Sequence, residues 1–196
     1  MLPIRLAILA SGSGSNAENI CNYFSQREDI LISIIISNKS EAYVHERAKK
    51  MGVPSLTMSK ADLSDAGKVI NVLKEYQIDF IVLAGYLLRV PEGLVKAFPH
   101  RMINIHPALL PKFGGKGMYG DKVHQAVVDA GDKESGITIH YVNEDYDEGA
   151  IIFQARCPVL EGETPEAVAS KVHALEYQYF PSVIADVLQK EFNINL

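Results

Sequence analysis

Apolar residues follow two rhythms along this chain. Nearly continuous β-branched runs occupy residues 4–10 (IRLAILA), 30–37 (ILISIIIS), 79–85 (DFIVLAG) and 101–105 (RMINI). The first three have hardly a polar break, as expected of parallel strands covered on both faces. Between them, Ala17–Ser25, Glu41–Met51 and Lys68–Tyr76 carry apolar residues at helical spacing. Strand, helix, strand repeated in this way predicts an α/β fold, Rossmann-like and doubly wound, with a mostly parallel sheet.

The rhythm changes after Pro111. Residues 136–142 (GITIHYV) and 150–159 (AIIFQARCPV) read as two strands joined by the acidic turn NEDYDEG, with no helix between them. They are therefore expected to be antiparallel C-terminal strands. Thr164, Pro165 and Glu166 make a good helix start: a capping hydroxyl, a proline at the first helical position and an acid in the first turn. That helix is predicted to run to about Glu191, bent at Pro181. Nothing in residues 1–196 resembles a repeat, a low-complexity tract or a linker, so a single domain is expected.

Composition narrows the class. With 196 residues, 47% of them apolar and 22% charged, the chain can bury a sizeable core. A net charge of -5 argues against a nucleic-acid partner, which calls for a basic surface, but leaves room for a local anion pocket. Cys21 and Cys157 belong to no metal or redox spacing, which points to a reducing, cytoplasmic compartment. The apolar start is too short for a signal-peptide core, and no stretch approaches the ~18 apolar residues of a membrane span.

Two places carry candidate chemistry. Between the first strand and first helix, SGSGSN sets Gly12 and Gly14 among small polar residues. Backbone N–H groups there, with the positive end of a helix, suit a phosphate. The spacing Gly12-x-Gly14-x-x-Ala17 also fits a dinucleotide fingerprint, but the acid that should end the second strand is replaced by SNKS. The plain alternative is a tight turn in which Ser15 or Asn16 caps the helix.

The second place is RMINIHPALLP (101–111), where Asn104 and His106 interrupt a buried strand just before Pro107. Two residues apart, they share one face of an extended segment. An amide and an imidazolium aimed together can stabilise an oxyanion; the bland alternative is a capped strand end with a hydrogen-bonded core histidine. A carboxylate beside the histidine would favour its charged form. Asp147 is the candidate, although spacing does not choose it over Glu144, Asp145 or Glu148. The histidines offer no short metal-ligand pair, and His140, in TIHYV, reads as a packed strand residue.

Taken in order, ILASGSGSN, SNK, VLAGY, NIHPALLPKF, SGITIHYV and DYDEGAIIFQ resemble the folate-dependent phosphoribosylglycinamide formyltransferases over nearly the whole chain. The resemblance implies a formyltransferase fold, with a phosphate-binding half over 1–100 and a catalytic and folate-binding half over 101–196. It implies 10-formyltetrahydrofolate as co-substrate, no metal, and 5′-phosphoribosylglycinamide of purine synthesis as acceptor. By the same resemblance Asn104, His106 and Asp147 form the catalytic trio. Gly14, Ser15 and Asn16 hold the substrate phosphate, and Glu176 contacts the ribonucleotide. Leu87, Leu88, Arg89, Val90 and Asn104 line the folate site. A cytoplasmic monomer or homodimer acting on small molecules, without nucleic acid or membrane, is implied.

Two departures stand out. Leu88 falls where many members have an arginine, with Arg89 one place later, and KFGGKGMYGDK (112–122) is longer than the usual loop. Its four glycines suggest a mobile lid leaving from the His106 strand end. Relatives in chemistry are less well matched. A methionyl-tRNA formyltransferase is expected to carry a further C-terminal domain and a basic surface. A formyltetrahydrofolate hydrolase is expected to carry a regulatory domain before the first strand. A Rossmann-like nucleotide-binding module would use the glycine loop and leave the trio without a task.

Overall fold

The continuous apolar runs become the inner strands of one sheet. The computed structural model describes residues 2–194. Its strands are β1 (Ile4–Leu9), β2 (Ile30–Ser37), β3 (Ser55–Thr57), β4 (Phe80–Leu83), β5 (Met102–His106), β6 (Glu134–Tyr141) and β7 (Ile151–Pro158). Its helices are α1 (Ser15–Phe24), α2 (Val44–Met51), α3 (Lys60–Leu63), α4 (Ala66–Glu75), α5 (Glu92–Ala97), α6 (Asp121–Asp129) and α7 (Pro165–Phe192). The strands hydrogen-bond in the order β3-β2-β1-β4-β5-β6-β7. The sheet is mixed, mostly parallel, with its antiparallel strands at the C-terminal end. The chain divides into two compact units, one up to Ile103 and one from Asn104 onward.

In the first unit β1 lies between β2 and β4 and is parallel to both. Leu6, Ala7, Ile8 and Leu9 are all buried, so both faces of the strand are out of water, as its unbroken hydrophobicity predicts. Helix boundaries depart from the expected ones for local reasons. α1 begins at Ser15, two residues early, because Gly14 takes a left-handed conformation (φ 73°) and turns the chain at once. Gly14 is the capping position, so neither Ser15 nor Asn16 caps the helix. α2 begins three residues late, after a turn closed by Ala42 N–H donating to the Lys39 carbonyl (3.3 Å). α4 begins early because Asp65 Oδ1 accepts from the N–H groups of Gly67 (2.9 Å) and Lys68 (3.2 Å). β3, three residues long and parallel to β2, was too short to show a period.

In the second unit β6 and β7 are antiparallel, from Glu134 opposite Pro158 to His140 opposite Ile151. They approach so closely that a Cβ on Gly136 would lie 1.9 Å from the Ala155 carbonyl oxygen. Thr138 and His140 share a face of β6. Thr138 Oγ1 donates to the Ala108 carbonyl (2.7 Å) and accepts from Leu110 N–H (3.0 Å), which pins the segment following Pro107 to the sheet. α7 starts where the sequence indicates, with Thr164 Oγ1 accepting from Ala167 N–H (3.3 Å), and it runs past the buried Pro181 to Phe192. Among the described residues no helix is long and apolar enough to cross a membrane.

The start of α7 rests on one hydroxyl. Thr164→Ala is expected to lower stability by about 1 kcal/mol, read as a lower urea midpoint at unchanged slope. Thr164→Ser should keep nearly all of it.

Candidate active site

β5 delivers Asn104 and His106 on one face, and both meet the same carboxylate. Asn104 Nδ2 donates to Asp147 Oδ1 (3.3 Å), and His106 Nδ1 lies 3.4 Å from Asp147 Oδ2. His106 is buried, and the Asp147 side chain is only 11% exposed, so its charge depends on these neighbours rather than on water. The structure thus places the Asp147 carboxylate beside both Asn104 and His106. Two backbone features put it there. Asp147 adopts a left-handed conformation (φ 57°), which aspartate tolerates better than most residues. Two residues on, a Cβ on Gly149 would lie 1.6 Å from the Tyr141 carbonyl oxygen, so only glycine fits as the chain turns back into β7.

The network has members that the sequence pattern did not reveal. His140 Nδ1 donates to the Tyr141 carbonyl (2.9 Å), which leaves Nε2 to accept from Asn104 Nδ2 (3.1 Å). At 3.6 Å, Asp147 Oδ1 is beyond hydrogen-bond distance of that nitrogen but close enough to feel the ring. His140 is thus a packed strand residue that also fixes the Asn104 amide. The signal was there: a buried imidazole in an apolar strand needs a polar partner.

The long glycine-rich loop closes the group from another side through its backbone. Gly115 N–H donates to Asp147 Oδ2 (3.0 Å), and His106 Nε2 donates to the Phe113 carbonyl (2.8 Å). Phe113 (φ 55°) and Gly115 (φ 90°) are both left-handed, so the loop is tightly turned over the trio rather than extended.

Opposing influences set the charges. Burial pushes the His106 pKa down; Asp147 and the Phe113 carbonyl push it up, and burial wins, so it lies below the usual histidine value. Both ring nitrogens nevertheless face acceptors, the Phe113 carbonyl at Nε2 and the Asp147 carboxylate 3.4 Å from Nδ1, so the geometry suits the imidazolium that burial opposes. Burial raises the Asp147 carboxyl, but its neighbours, the His106 ring and the Gly115 N–H among them, outweigh it and hold it below the ordinary carboxylate range.

Glu176 on α7 is buried rather than solvated, and its Oε2 accepts from His173 Nδ1 (3.0 Å). That bond raises the His173 pKa against the effect of its own burial. Nearby His124 is also buried, which pushes its pKa down.

In the first unit, the glycine loop leaves β1 and enters α1 through Gly14. A Cβ on Gly14 would sit 2.3 Å from Val44 Cγ2, so a side chain there is excluded by space as well as by φ. Asn16 is buried and Ser15 half-buried at the start of the helix. The segment after β4 is tied to this loop: Ser11 N–H donates to the Gly85 carbonyl, and Leu87 N–H donates to Ser11 Oγ, both at 3.0 Å. Within it Val90 is buried, Leu88 half-buried, and Leu87 and Arg89 exposed.

The charge balance gives a direct expectation. In an NMR titration the His106 ring should change protonation below the ordinary histidine midpoint of about 6.5. Asp147→Asn should move that midpoint further down, since the carboxylate is what opposes burial. An unchanged or higher midpoint would show that Asp147 does not act on the ring.

Known proteins agree with this architecture. A family model described as formyl transferase matches residues 4–184. A chloroplastic phosphoribosylglycinamide formyltransferase of Arabidopsis thaliana is 41% identical over 95% of this chain, which spans 66% of that protein, just under two thirds. The phosphoribosylglycinamide formyltransferase of Bacillus subtilis is 37% identical over 94% of both chains. The crystal structure of phosphoribosylglycinamide formyltransferase from Anaplasma phagocytophilum superposes with a TM-score of 0.87 at 36% identity, covering 96% of this chain and 88% of that one. With its strand order, its antiparallel C-terminal pair and a match across nearly its whole length, the chain belongs to the formyl transferase family.

Proposed function

We propose that this chain, acting as one formyltransferase domain, transfers the formyl group of 10-formyltetrahydrofolate to the primary amine of 5′-phosphoribosylglycinamide in purine synthesis. The observation that carries this is the group of Asn104, His106 and Asp147, brought together within the residues that the formyl transferase family model matches. The amine attacks the formyl carbon, and negative charge gathers on the formyl oxygen. His106 Nε2 and Asn104 Nδ2 are the donors for that oxygen, the amide turning to it one of the two N–H groups it now gives to Asp147 Oδ1 and His140 Nε2. Nε2 now donates to the Phe113 carbonyl, so the developing oxyanion takes over a hydrogen bond that the loop holds in its place. Asp147, on the opposite ring nitrogen, adds to the pull of the oxyanion and lets His106 carry a proton that burial alone disfavours. The amine's proton then passes, through water near Asp147, to the folate nitrogen as its bond to the formyl carbon breaks, releasing tetrahydrofolate.

Binding roles follow the same assignment. Gly14, Ser15 and Asn16 present backbone donors to the substrate phosphate. Glu176 contacts the ribonucleotide, and Leu87, Leu88, Arg89, Val90 and Asn104 line the folate site. The chain works in the cytoplasm on small molecules, as a monomer or homodimer, without nucleic acid, membrane or metal.

The test is spectroscopic release of tetrahydrofolate from a 10-formyl-folate substrate, with and without phosphoribosylglycinamide. Release should require the amine; release without it would indicate a hydrolase instead, and none under either condition would end the proposal. His106→Ala should lose ~10²–10³ in turnover, the usual loss for one preorganised oxyanion donor, while folate binding by fluorescence persists. Near-normal turnover in that variant would remove His106 from the chemistry.

A further inference from the structure

The glycine loop is oriented by contacts that the phosphate assignment does not itself explain. Three successive carbonyls are taken by donors of the protein. Val44 N–H donates to Gly12 O (3.2 Å), Arg47 Nε to Ser13 O (3.0 Å), and Glu18 N–H to Gly14 O (2.9 Å). In a trans peptide the carbonyl and the following N–H point opposite ways. Fixing these three carbonyls therefore turns the N–H groups of Ser13, Gly14 and Ser15 away from their anchors. Among the described residues, none of those three N–H groups donates to a protein acceptor.

Two of the anchors are backbone N–H groups that the start of α2 and the first turn of α1 hold in place. The middle one is a side chain. Arg47 is itself fixed from two directions: Nη1 pairs with Glu18, and the guanidinium lies 5.1 Å from the centre of the Tyr43 ring. Its charge is offset by Glu18, so what it adds to the loop is geometry more than field. The peptide it holds, Ser13–Gly14, is also the one most free to rotate, since Gly14 tolerates either hand of φ. Rotation would bring the Ser13 carbonyl outward and turn the Gly14 N–H inward, replacing a donor by an acceptor in front of an anion.

We propose that Arg47 is a positioning residue for recognition of a phosphate monoester: by holding the Ser13 carbonyl inward it keeps the Gly14 N–H facing the phosphate. This rests on the assignment of the loop to the substrate phosphate. It also accounts for the pairing of Arg47 with Glu18, which joins α2 to α1 on either side of the loop.

The experiment compares initial rates with phosphoribosylglycinamide and with its dephosphorylated ribosyl analogue, in the parent and in Arg47→Gln. The parent should prefer the phosphorylated substrate. In Arg47→Gln the KM for that substrate should rise about tenfold, the scale of one well-placed hydrogen bond, with kcat and the KM for the analogue nearly unchanged. Arg47→Lys, which keeps one donor and the charge, should recover part of the loss. A parent without phosphate preference would sink the assignment of the loop. A parent whose preference survives intact in Arg47→Gln would overturn the role of Arg47 alone. If circular dichroism shows Arg47→Gln unfolded, Arg47→Lys and Glu18→Gln decide. A KM increase confined to the phosphorylated substrate in either supports the proposal, and its absence in both refutes it.

Discussion

A carboxylate with little access to water must be satisfied by the protein, and much of the C-terminal unit is arranged around satisfying Asp147. Its two oxygens draw on an amide and an imidazole from β5 and a backbone N–H from the loop before α6, with the His140 ring from β6 close by. Leaving such a charge unpaired costs several kcal/mol, so the segments bearing these groups are held in register by one anion. The same constraint explains backbone details that look arbitrary alone. Asp147 accepts a left-handed φ, Gly149 leaves no room for a side chain, and the loop makes two left-handed turns to bring one N–H and one carbonyl to the trio.

The arrangement leaves His106 balanced rather than committed. Burial favours the neutral ring, while Asp147 and the Phe113 carbonyl favour the cation. A ring in that position can gain a proton when negative charge appears beside it and give it up afterwards, which is what the proposed formyl transfer asks of it. The glycine loop of the other unit shows a parallel device. There too the donors that the proposed function assigns to a ligand are backbone or side-chain groups whose direction is set by residues behind them, Val44 and Arg47 for the loop and Asp147 and His140 for the trio.

Much of this was legible in the sequence, for identifiable reasons. Unbroken apolar runs revealed the parallel strands because both faces of β1, β2 and β4 are covered. A two-residue spacing put Asn104 and His106 together because β5 is extended. The choice of Asp147 among four acids came only through family resemblance, since the reason for it is a left-handed turn and a close approach at Gly149 that composition does not display. His140 left a trace, an imidazole in an apolar strand, but a trace that ordinary packing also leaves. Phe113 and Gly115 act through backbone atoms, which carry no side-chain signature. Arg47 lies on the polar side of an amphipathic helix, where a charged residue carries no sign of its contact with the Ser13 carbonyl.

The central claim is that Asp147 and His106 work as one unit, so the most direct measurement is a double-mutant cycle on kcat/KM with Asp147→Asn and His106→Ala. If Asp147 acts through the imidazole, the double variant should be no slower than His106→Ala alone, because the carboxylate has nothing left to act on. Losses that simply add on the free-energy scale, with the double variant slower by the full product of the two, would contradict the account and give Asp147 a task independent of His106.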